Sequence, residues 1–343
     1  MTGVVRRTQV IEGVAPDAIP FDELMAAQQP AILKGLARHW PLVQRGLEGA
    51  DRAIGYLKPF YNGRPIVGYT GQPEIKGRYF YNDQVDGLNF QAERVQLDVY
   101  LERMRARLGD PDGPSFYIGS TDVDGHLPGL SSENHLVLHH VMFAQNPPIV
   151  SIWIGNRTTA CAHYDMSHNM ACCMVGQRRF TLFPPEQVHN LYPGPLELTP
   201  GGQVVSMVDL KAPDLDRYPR VREALAAGEM AELEPGDVLF YPALWWHQVE
   251  ALDAFNVMIN YWWNTSPAFM DTPMNTLLHA ILSLRDRPES EKRAWRELFE
   301  YYIFGPAERA GEHLPEAARG NLGPLDELKA RRLRGLLLNR LNR

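Results

Sequence analysis

Residues 149–165 read IVSIWIGNRTTACAHYD, and this stretch contains two features that decide how the rest of the chain is interpreted. The first is the β-branched and aromatic run Ile149–Ile154, which is typical of a short strand. The second is Thr158–Asp165, in which His163 and Asp165 stand two positions apart. Because successive side chains of a strand point to opposite faces, His163 and Asp165 are predicted to point to the same side.

Similar runs recur through the middle of the chain. Each is short, rich in β-branched or aromatic residues, and bounded by Gly, Pro, Asn or Asp. They are Ser115–Gly119, Arg179–Phe183, Val238–Tyr241 and Asn256–Trp263. Many short strands separated by turns favour a β-sandwich or barrel.

The sequence divides into three regions that differ in their predicted secondary structure. Residues 1–110 mix short helices and strands, and Val95–Leu108 has the apolar spacing of an amphipathic helix. Residues 111–266 hold the strand-like runs. Residues 267–343 are helical in pattern, and Thr272 followed by Pro273 is a typical helix start. The leucines of this last region cannot be buried by single helices, so we expect the helices to pack on the β core, on a second subunit, or on both.

The pair His163 and Asp165 supplies two of the three ligands of a 2-His-1-carboxylate metal site. Such a site binds a divalent metal on one face and leaves the opposite face open. His247 directly follows the Val238–Tyr241 strand and its turn, and it is the candidate third ligand. The alternative is that both histidines are hydrogen-bonded core residues, which is common for histidines inside β structure.

Three motifs in order resemble the cupin-like Jumonji-C oxygenase family, and within it the asparaginyl hydroxylase that acts on hypoxia-inducible factor. They are Ala162–Asp165, Phe180–Gln187 and Pro235–Glu250. The resemblance extends over roughly residues 20 to 265. It implies a mainly β fold with flanking helices, built on a double-stranded β-helix (jelly-roll) core, and it implies Fe(II), 2-oxoglutarate and O2 as cofactor and cosubstrates.

The resemblance also carries over residue by residue to the binding of 2-oxoglutarate. It implies that Arg178 binds the distal carboxylate, where the asparaginyl hydroxylase has lysine, and that Tyr117 hydrogen-bonds the same group. Arginine can pair with a carboxylate through two parallel hydrogen bonds. Asn169 and Asn260 match asparagines of the metal and 2-oxoglutarate pocket, and Trp262 matches an aromatic wall residue.

Two positions near the first motif depart from this pattern or could be mistaken for part of it. Ala160 stands where the asparaginyl hydroxylase has a threonine that contacts 2-oxoglutarate, so that contact is lost or replaced. His168 lies off the matched positions and is expected at the rim of the pocket or on the surface.

Composition restricts the partners and the compartment. The formal net charge of −7 gives no general attraction for nucleic acid. Three cysteines within a dozen positions do not form a disulfide framework, and adjacent Cys172 and Cys173 should face opposite sides of a strand. We expect a reducing, cytoplasmic location. No secretory signal and no apolar run of about 18 residues is apparent, so no membrane association is expected.

The function predicted from these features is Fe(II)- and 2-oxoglutarate-dependent hydroxylation of an amino-acid side chain in a protein or peptide. A small-molecule substrate remains possible at this point, and lysine demethylation is less favoured because that branch usually has Glu where this chain has Asp165. The alternatives are a cupin metalloenzyme that does not use 2-oxoglutarate and a catalytically silent protein-binding module. The C-terminal helices suggest a homodimer, with a monomer as the alternative.

Overall fold

Strands occur from Arg6 to Trp263, and helices form most of the regular structure beyond them. Within residues 3–342, the part of the chain that this computed structural model describes, the strands are β1 (Arg6–Arg7), β2 (Gln9–Ile11), β3 (Ala31–Leu33), β4 (Ile66–Gly71), β5 (Arg78–Tyr79), β6 (Phe90–Val95), β7 (Ser115–Asp122), β8 (Ile149–Gly155), β9 (Thr159–Tyr164), β10 (His168–Val175), β11 (Arg178–Phe183), β12 (Glu229–Leu233), β13 (Val238–Tyr241), β14 (Trp246–Ala251) and β15 (Asn256–Trp263). The α-helices are α1 (Phe21–Ala27), α2 (Pro41–Glu48), α3 (Ala50–Leu57), α4 (Leu97–Arg105), α5 (Val123–His126), α6 (Met142–Gln145), α7 (Val221–Ala227), α8 (Pro273–Ser283), α9 (Glu289–Phe299) and α10 (Glu327–Leu341).

The strands form two sheets that pack face to face. The larger sheet has the order β2-β3-β13-β10-β15-β8-β7-β4-β6, and the smaller has the order β1-β12-β11-β14-β9-β5. From β8 to β11, and again from β12 to β15, each strand lies in the other sheet from the strand before it. This alternation is the double-stranded β-helix, so the predicted fold class is confirmed.

The space between the sheets is filled by alternate residues from both of them. Phe180 and Val249 of the smaller sheet pack with Ala171, Cys173 and Leu239 of the larger sheet. Each side chain of leucine size buried in this way stabilises the fold by about 1.5–3 kcal/mol relative to its exposed state. The interior near the open end of the two sheets also receives polar side chains, which form the site described below.

The outer face of the larger sheet is covered by helices. Cys172 lies in this outer core together with Leu42, Ile54 and Tyr100 from α2, α3 and α4, whereas Cys173 lies between the sheets. The prediction that the two adjacent cysteines face opposite sides is therefore confirmed. All three cysteines are buried as free thiols.

The predicted helix Val95–Leu108 begins too early. Val95 is the last residue of β6, where it pairs with Ile66 of β4, and α4 begins at Leu97. Helical spacing alone could not reveal this, because the pairing of Val95 depends on a strand almost thirty positions earlier in the chain. Leu101 and Met104 lie on the buried face of the helix as expected, whereas Val99 is 46% exposed and Leu97 takes part in the buried face instead.

Gly176 shapes the turn that leads into Arg178. Its φ is +72°, a left-handed conformation that glycine adopts without strain. A Cβ at this position would lie 2.4 Å from the side-chain Oδ1 of Asn256 and 2.8 Å from the carbonyl oxygen of Phe255. The turn between β10 and β11 therefore requires glycine both for its backbone conformation and for space.

Contacts divide the chain into two units, one ending at Asn264 and the other beginning at Thr265. In the second unit the Thr272 hydroxyl accepts a hydrogen bond from the Met274 amide at 3.4 Å, which is the expected N-terminal cap of α8. Many of its large apolar side chains are exposed, including Leu282 and Phe304 at 78% and 72%. Among the described residues, no helix is long and apolar enough to cross a membrane.

Candidate active site

The structure brings together His163, Asp165 and His247, the three residues predicted to bind a metal. β9 and β14 are antiparallel neighbours, and His163 lies directly opposite His247 in their register. The two imidazole rings are 4.3 Å apart between centroids, and Asp165 Oδ2 lies 3.6 Å from His247 Nε2. One possible ligand atom from each residue lies within 4.8 Å of the other two.

Backbone carbonyl groups orient both imidazole rings. The Nδ1 atom of His163 lies 2.8 Å from the Cys161 carbonyl oxygen, and that of His247 lies 3.0 Å from the Trp245 carbonyl oxygen. A carbonyl oxygen only accepts, so each Nδ1 carries the proton and donates it. A metal ligand needs a lone pair on Nε2, and this is the tautomer of the neutral ring that provides one.

Burial keeps His247 neutral. The side chain is 2% exposed, and desolvation, reinforced by the nearby His163, lowers its pKa to about 4 despite the opposing effect of Asp165. A neutral imidazole is available to bind a metal without first losing a proton.

A backbone hydrogen bond joins the loops that carry Asp165 and His247. Leu244 has φ +68°, an uncommon conformation for a residue with a branched side chain. In this conformation its amide donates to the Asp165 carbonyl oxygen at 2.7 Å. The strained turn therefore holds the carboxylate ligand close to the start of β14.

Arg178 lies deep between the sheets and has no acidic partner. It is 3% exposed, and within the described part of the chain its Nε and Nη2 atoms have no hydrogen-bond partner and it forms no salt bridge. Burial lowers the pKa of its guanidinium, opposed by the nearby Cys173 and Tyr117. Arg179 points the opposite way and donates to Glu232 at 3.0 Å, as strand alternation predicts. A buried guanidinium without a counter-ion is unfavourable unless a ligand supplies the anion.

Sequence comparison identifies the fold family. The model of the cupin-like domain matches residues 16–269, about three quarters of the chain. The chain belongs to the cupin-like Jumonji-C family.

Named relatives of this Jumonji-C chain differ in length and in function. HSPB1-associated protein 1 of Rattus norvegicus is 38% identical over 248 residues, which cover 70% of this chain and 49% of the relative. The bifunctional peptidase and (3S)-lysyl hydroxylase JMJD7 of Homo sapiens is 25% identical over 267 residues, which cover 71% of this chain and 80% of the relative. Jumonji C domain-containing protein 5 of Drosophila melanogaster is 24% identical, and the chain spans 62% of its length.

Tyr117 lies beside Arg178 in the interior of the Jumonji-C core. Burial is the largest influence on the Tyr117 phenol and raises its pKa, while the Arg178 charge acts in the opposite direction. The phenol is therefore neutral and able to donate a hydrogen bond. Its ring stacks on Trp153 with centroids 5.9 Å apart.

The predicted pocket asparagines differ in their partners. Both the Oδ1 and the Nδ2 atoms of Asn169 are buried with no hydrogen-bond partner among the described residues. Asn260 Oδ1 accepts a hydrogen bond from Trp153 Nε1 at 2.6 Å, so this amide has a partner within the protein. Trp262 packs edge-on against Trp153 at 5.7 Å, and its own Nε1 is buried and unpartnered in the described structure. Asn169 is thus the amide that remains available to a ligand.

His168 does not lie on the surface, which was one of its two expected positions. It is 8% exposed and stacks near Trp263, and its Nδ1 accepts a hydrogen bond from the Ala243 amide at 3.2 Å. Burial lowers the pKa of this imidazole. Ala160 and Trp153 each pack against the hydrophobic core between the sheets.

Sequence reasoning missed two aromatic residues of the site, Trp153 and Tyr241. The Tyr241 ring lies 4.6 Å from the His247 ring between centroids, and Trp153 links Tyr117 to Asn260. The alternation of side chains along a strand could have identified both residues. Trp153 faces the same side of β8 as Ser151, and Tyr241 faces the same side of β13 as Leu239, which lies between the sheets.

The residues present fit both an iron ion and a 2-oxo diacid. Two imidazoles and one carboxylate whose ligand atoms lie close together are the ligand set of non-haem Fe(II) oxygenases. The unpaired Arg178 and the unpartnered Asn169 offer hydrogen bonds to an anionic, oxygen-rich ligand.

Proposed function

We propose that this chain is an Fe(II)- and 2-oxoglutarate-dependent oxygenase. The observation that supports it most strongly is Arg178, a buried guanidinium without a counter-ion, in the same interior as the His163, Asp165 and His247 cluster. A metal site alone would suit many cupin enzymes. A buried cation beside it fits a cosubstrate that carries a second carboxylate.

The proposed roles follow from the contacts of each residue. His163, Asp165 and His247 would hold Fe(II), and Arg178 and Tyr117 would bind the distal carboxylate of 2-oxoglutarate. Fe(II) with 2-oxoglutarate and O2 supplies the oxidising chemistry when bound. The protein orients the cosubstrate through fixed donors and excludes water with the aromatic wall of Trp153 and its neighbours.

Two other functions fit the site less well. A cupin metalloenzyme without 2-oxoglutarate leaves the unpaired Arg178 unexplained, because a buried charge without a partner is destabilising. A catalytically silent binding module usually has an incomplete ligand set, and here all three candidate ligands are present and lie close together. Both therefore rank below the oxygenase.

Turnover of 2-oxoglutarate tests the proposal. Protein supplied with Fe(II), 2-oxoglutarate, ascorbate and O2 should form succinate, slowly without substrate and faster with it. His163→Ala and Asp165→Ala should abolish succinate formation, whereas His139→Ala, at an exposed histidine, should leave it unchanged. Succinate formation that persists in both ligand variants would exclude this site as its source.

We further propose that the oxidised group is an amino-acid side chain of a protein or peptide. Support comes from the relatives, which include a protein named as a lysyl hydroxylase and one from Xenopus tropicalis named as lysine-specific demethylase 8. Incubation with a peptide library, followed by mass spectrometry, should reveal the gain of one oxygen atom in some peptides. Products that lack a methyl group instead would indicate demethylation, and an oxidised metabolite without any oxidised peptide would indicate a small-molecule substrate.

We also propose a homodimer in a reducing, cytoplasmic environment. The C-terminal unit exposes leucines on α8 and α10, among them Leu282, Leu336 and Leu337. A dimer interface would remove these leucines from water. The three buried free thiols suit a reducing compartment. Light scattering should give a dimer mass for the native protein and a monomer mass for Leu282→Glu. Leu47→Glu, at an exposed leucine of the first unit, is the matched control.

A further inference from the structure

A cleft of about 670 Å³ lies on the first unit, between the segment that follows β11 and the segment that leads into α7. Two tyrosines form its centre, Tyr192 and Tyr218, whose rings pack edge-to-face with centroids 5.0 Å apart. We call it the Tyr192–Tyr218 cleft. Nothing in the proposed chemistry of the iron site uses it.

Each tyrosine ring of the cleft carries an arginine. The Arg220 guanidinium lies 4.3 Å from the centroid of Tyr192, and the Arg217 guanidinium lies 5.1 Å from that of Tyr218. Arg220 is also fixed by two hydrogen bonds to the His189 carbonyl oxygen, at 3.2 and 3.3 Å. Stacking and hydrogen bonding hold the Arg220 charge in place before any ligand arrives, which lowers the entropy lost on binding, whereas the Arg217 guanidinium is held by its aromatic contact alone.

Neither arginine has an acidic partner. Some other surface arginines of the chain do have one: Arg103 pairs with Glu93, and Arg179 pairs with Glu232. Arg217 and Arg220 form no salt bridge to any carboxylate of the described residues, and no acidic residue lines the cleft. In a chain with a net charge of −7, two cations that line one surface cleft without a carboxylate partner point to an anionic ligand.

The remaining walls of the cleft are apolar and open. Val188, Pro193 and Met207 contribute apolar surface, and Val188 is 45% exposed. The two arginines stand over aromatic rings on one side, so a ligand that carries carboxylates alternating with apolar groups would satisfy both kinds of wall. An open cleft suits a polypeptide segment that stays partly in water better than an enclosed small molecule.

Backbone hydrogen bonds connect the cleft to the strand that carries His163. The Met207 amide donates to the Tyr192 carbonyl oxygen at 2.9 Å, and the Ser206 amide donates to the Ala162 carbonyl oxygen at 2.7 Å. Val205 in turn pairs with His163 as an isolated bridge. Met207 stands two residues beyond Val205, which corresponds to about 7 Å of extended chain.

We propose that the Tyr192–Tyr218 cleft binds an acidic segment of a polypeptide and serves as a docking subsite for the protein substrate. The role as a substrate subsite rests on the proposed function, whereas the binding of an acidic peptide does not. Arg217 and Arg220 bind the carboxylates, and Val188 and Met207 contact the apolar residues between them.

A binding experiment tests the cleft without any turnover. A short, end-blocked, fluorescent peptide that alternates glutamate and leucine is titrated with the full-length protein, and its anisotropy is measured. Native protein should bind it, and should not bind the matched lysine–leucine peptide. Arg217→Glu should weaken binding about tenfold or more, the loss expected for a charge-assisted contact.

The controls separate this cleft from general electrostatics. Arg94→Glu makes the same charge change at an exposed position on β6 that does not line the cleft, and it should alter binding by less than about twofold, because salt screens charges that lie far from the bound peptide. Equal weakening by both variants would overturn the proposal. So would inorganic phosphate that displaces the peptide at equal concentration, since the cleft would then be a small-anion site.

The substrate role has its own outcome. In the peptide-library experiment, oxidised peptides should be enriched in acidic residues near the modified position, and Arg217→Glu should remove that enrichment while peptides without acidic residues are still oxidised. Enrichment that persists in Arg217→Glu would contradict the docking role. If no peptide is oxidised at all, the proposed function fails while the binding result stands.

Discussion

The buried surroundings of Arg178 are unfavourable for its charge as long as no ligand is bound. Strand β11 places it inward next to Phe180 and Leu182 by the alternation of side chains, yet a guanidinium there loses its hydration without gaining an anion. A buried charge is destabilising until it is paired. Proteins nevertheless retain such residues at sites where their function requires them. Function and stability should therefore respond in opposite directions when Arg178 is replaced.

Arg178→Met should raise the stability of the protein without ligand and greatly weaken its affinity for 2-oxoglutarate. The expected gain is about 1 kcal/mol or more in the free energy of unfolding, because an apolar side chain of similar length replaces an unpaired buried charge. Urea denaturation measures it. Arg179→Met, which removes only the exposed pair with Glu232, should change stability by less than about 0.5 kcal/mol. A less stable Arg178→Met protein would indicate that the guanidinium already has an internal partner.

His168 should make the protein sensitive to mild acid. Its Nδ1 accepts a hydrogen bond from the Ala243 amide, so the neutral imidazole is the form that fits, and burial lowers its pKa. A histidine with a lowered pKa in the folded state binds its proton more readily when unfolded, so stability falls as pH drops below about 6.5. Thermal unfolding against pH should show a smaller acid-induced loss in His168→Gln than in native protein. His139→Gln, at an exposed position, should behave like native protein.

At the scale of elements, the site depends on β9 and β14 lying side by side with their histidines opposed. A charged contact joins these strands on their outer side, where Lys211 Nζ donates to Thr159 Oγ1 at 2.9 Å and lies 3.2 Å from Glu250 Oε1. Thr159 and Glu250 are themselves opposite each other in the register. The contact therefore fixes the far end of the strand pair whose near end holds His163 and His247.

Lys211→Met should destabilise the protein by about 1–2 kcal/mol, because it leaves the buried Glu250 carboxylate without its cation. The figure is below that for a fully buried pair, since Lys211 is about half exposed. The double variant Lys211→Met/Glu250→Gln should recover most of this loss in the free energy of unfolding, as measured by urea denaturation. A double variant as unstable as Lys211→Met alone would mean that the lysine acts through packing and not through its charge.

The strands and the metal ligands could be predicted because their signals are local or nearly so. His163 and Asp165 are two residues apart, and alternation fixes their common face whatever the tertiary structure. The short strand β1 could not be predicted, because Arg6 pairs with Glu229 more than two hundred positions away. The Tyr192–Tyr218 cleft was missed for a similar reason: its walls are loops whose conformation depends on tertiary contacts.

At the scale of the whole molecule, ligands that bind the folded protein alone must stabilise it. The cluster of His163, Asp165 and His247 and the unpaired Arg178 exist as sites only when β9, β11 and β14 are assembled. The free energy of binding is then added to the free energy of unfolding, and reaches about 2.7 kcal/mol when the ligand is at one hundred times its Kd.

The midpoint temperature of thermal unfolding, measured without O2, should therefore rise in two steps. The first rise follows the addition of Fe(II), and the second follows the addition of 2-oxoglutarate. Arg178→Met should keep the first step and lose the second, whereas Asp165→Ala should lose both. Chelation of the metal should reverse both steps in native protein. A rise with 2-oxoglutarate that survives in Arg178→Met would place the cosubstrate elsewhere.

The most direct measurement is an anaerobic titration of the Fe(II)-loaded protein with 2-oxoglutarate, followed by visible absorption, because a 2-oxo acid bound to Fe(II) through two oxygen atoms absorbs in this range. The proposed site predicts a saturable band in native protein that requires both Fe(II) and 2-oxoglutarate, is absent in His163→Ala, and in Arg178→Met appears only at much higher concentration. No band in native protein loaded with Fe(II), or an identical titration curve for Arg178→Met, would contradict the assignment of this site to an Fe(II)- and 2-oxoglutarate-dependent oxygenase.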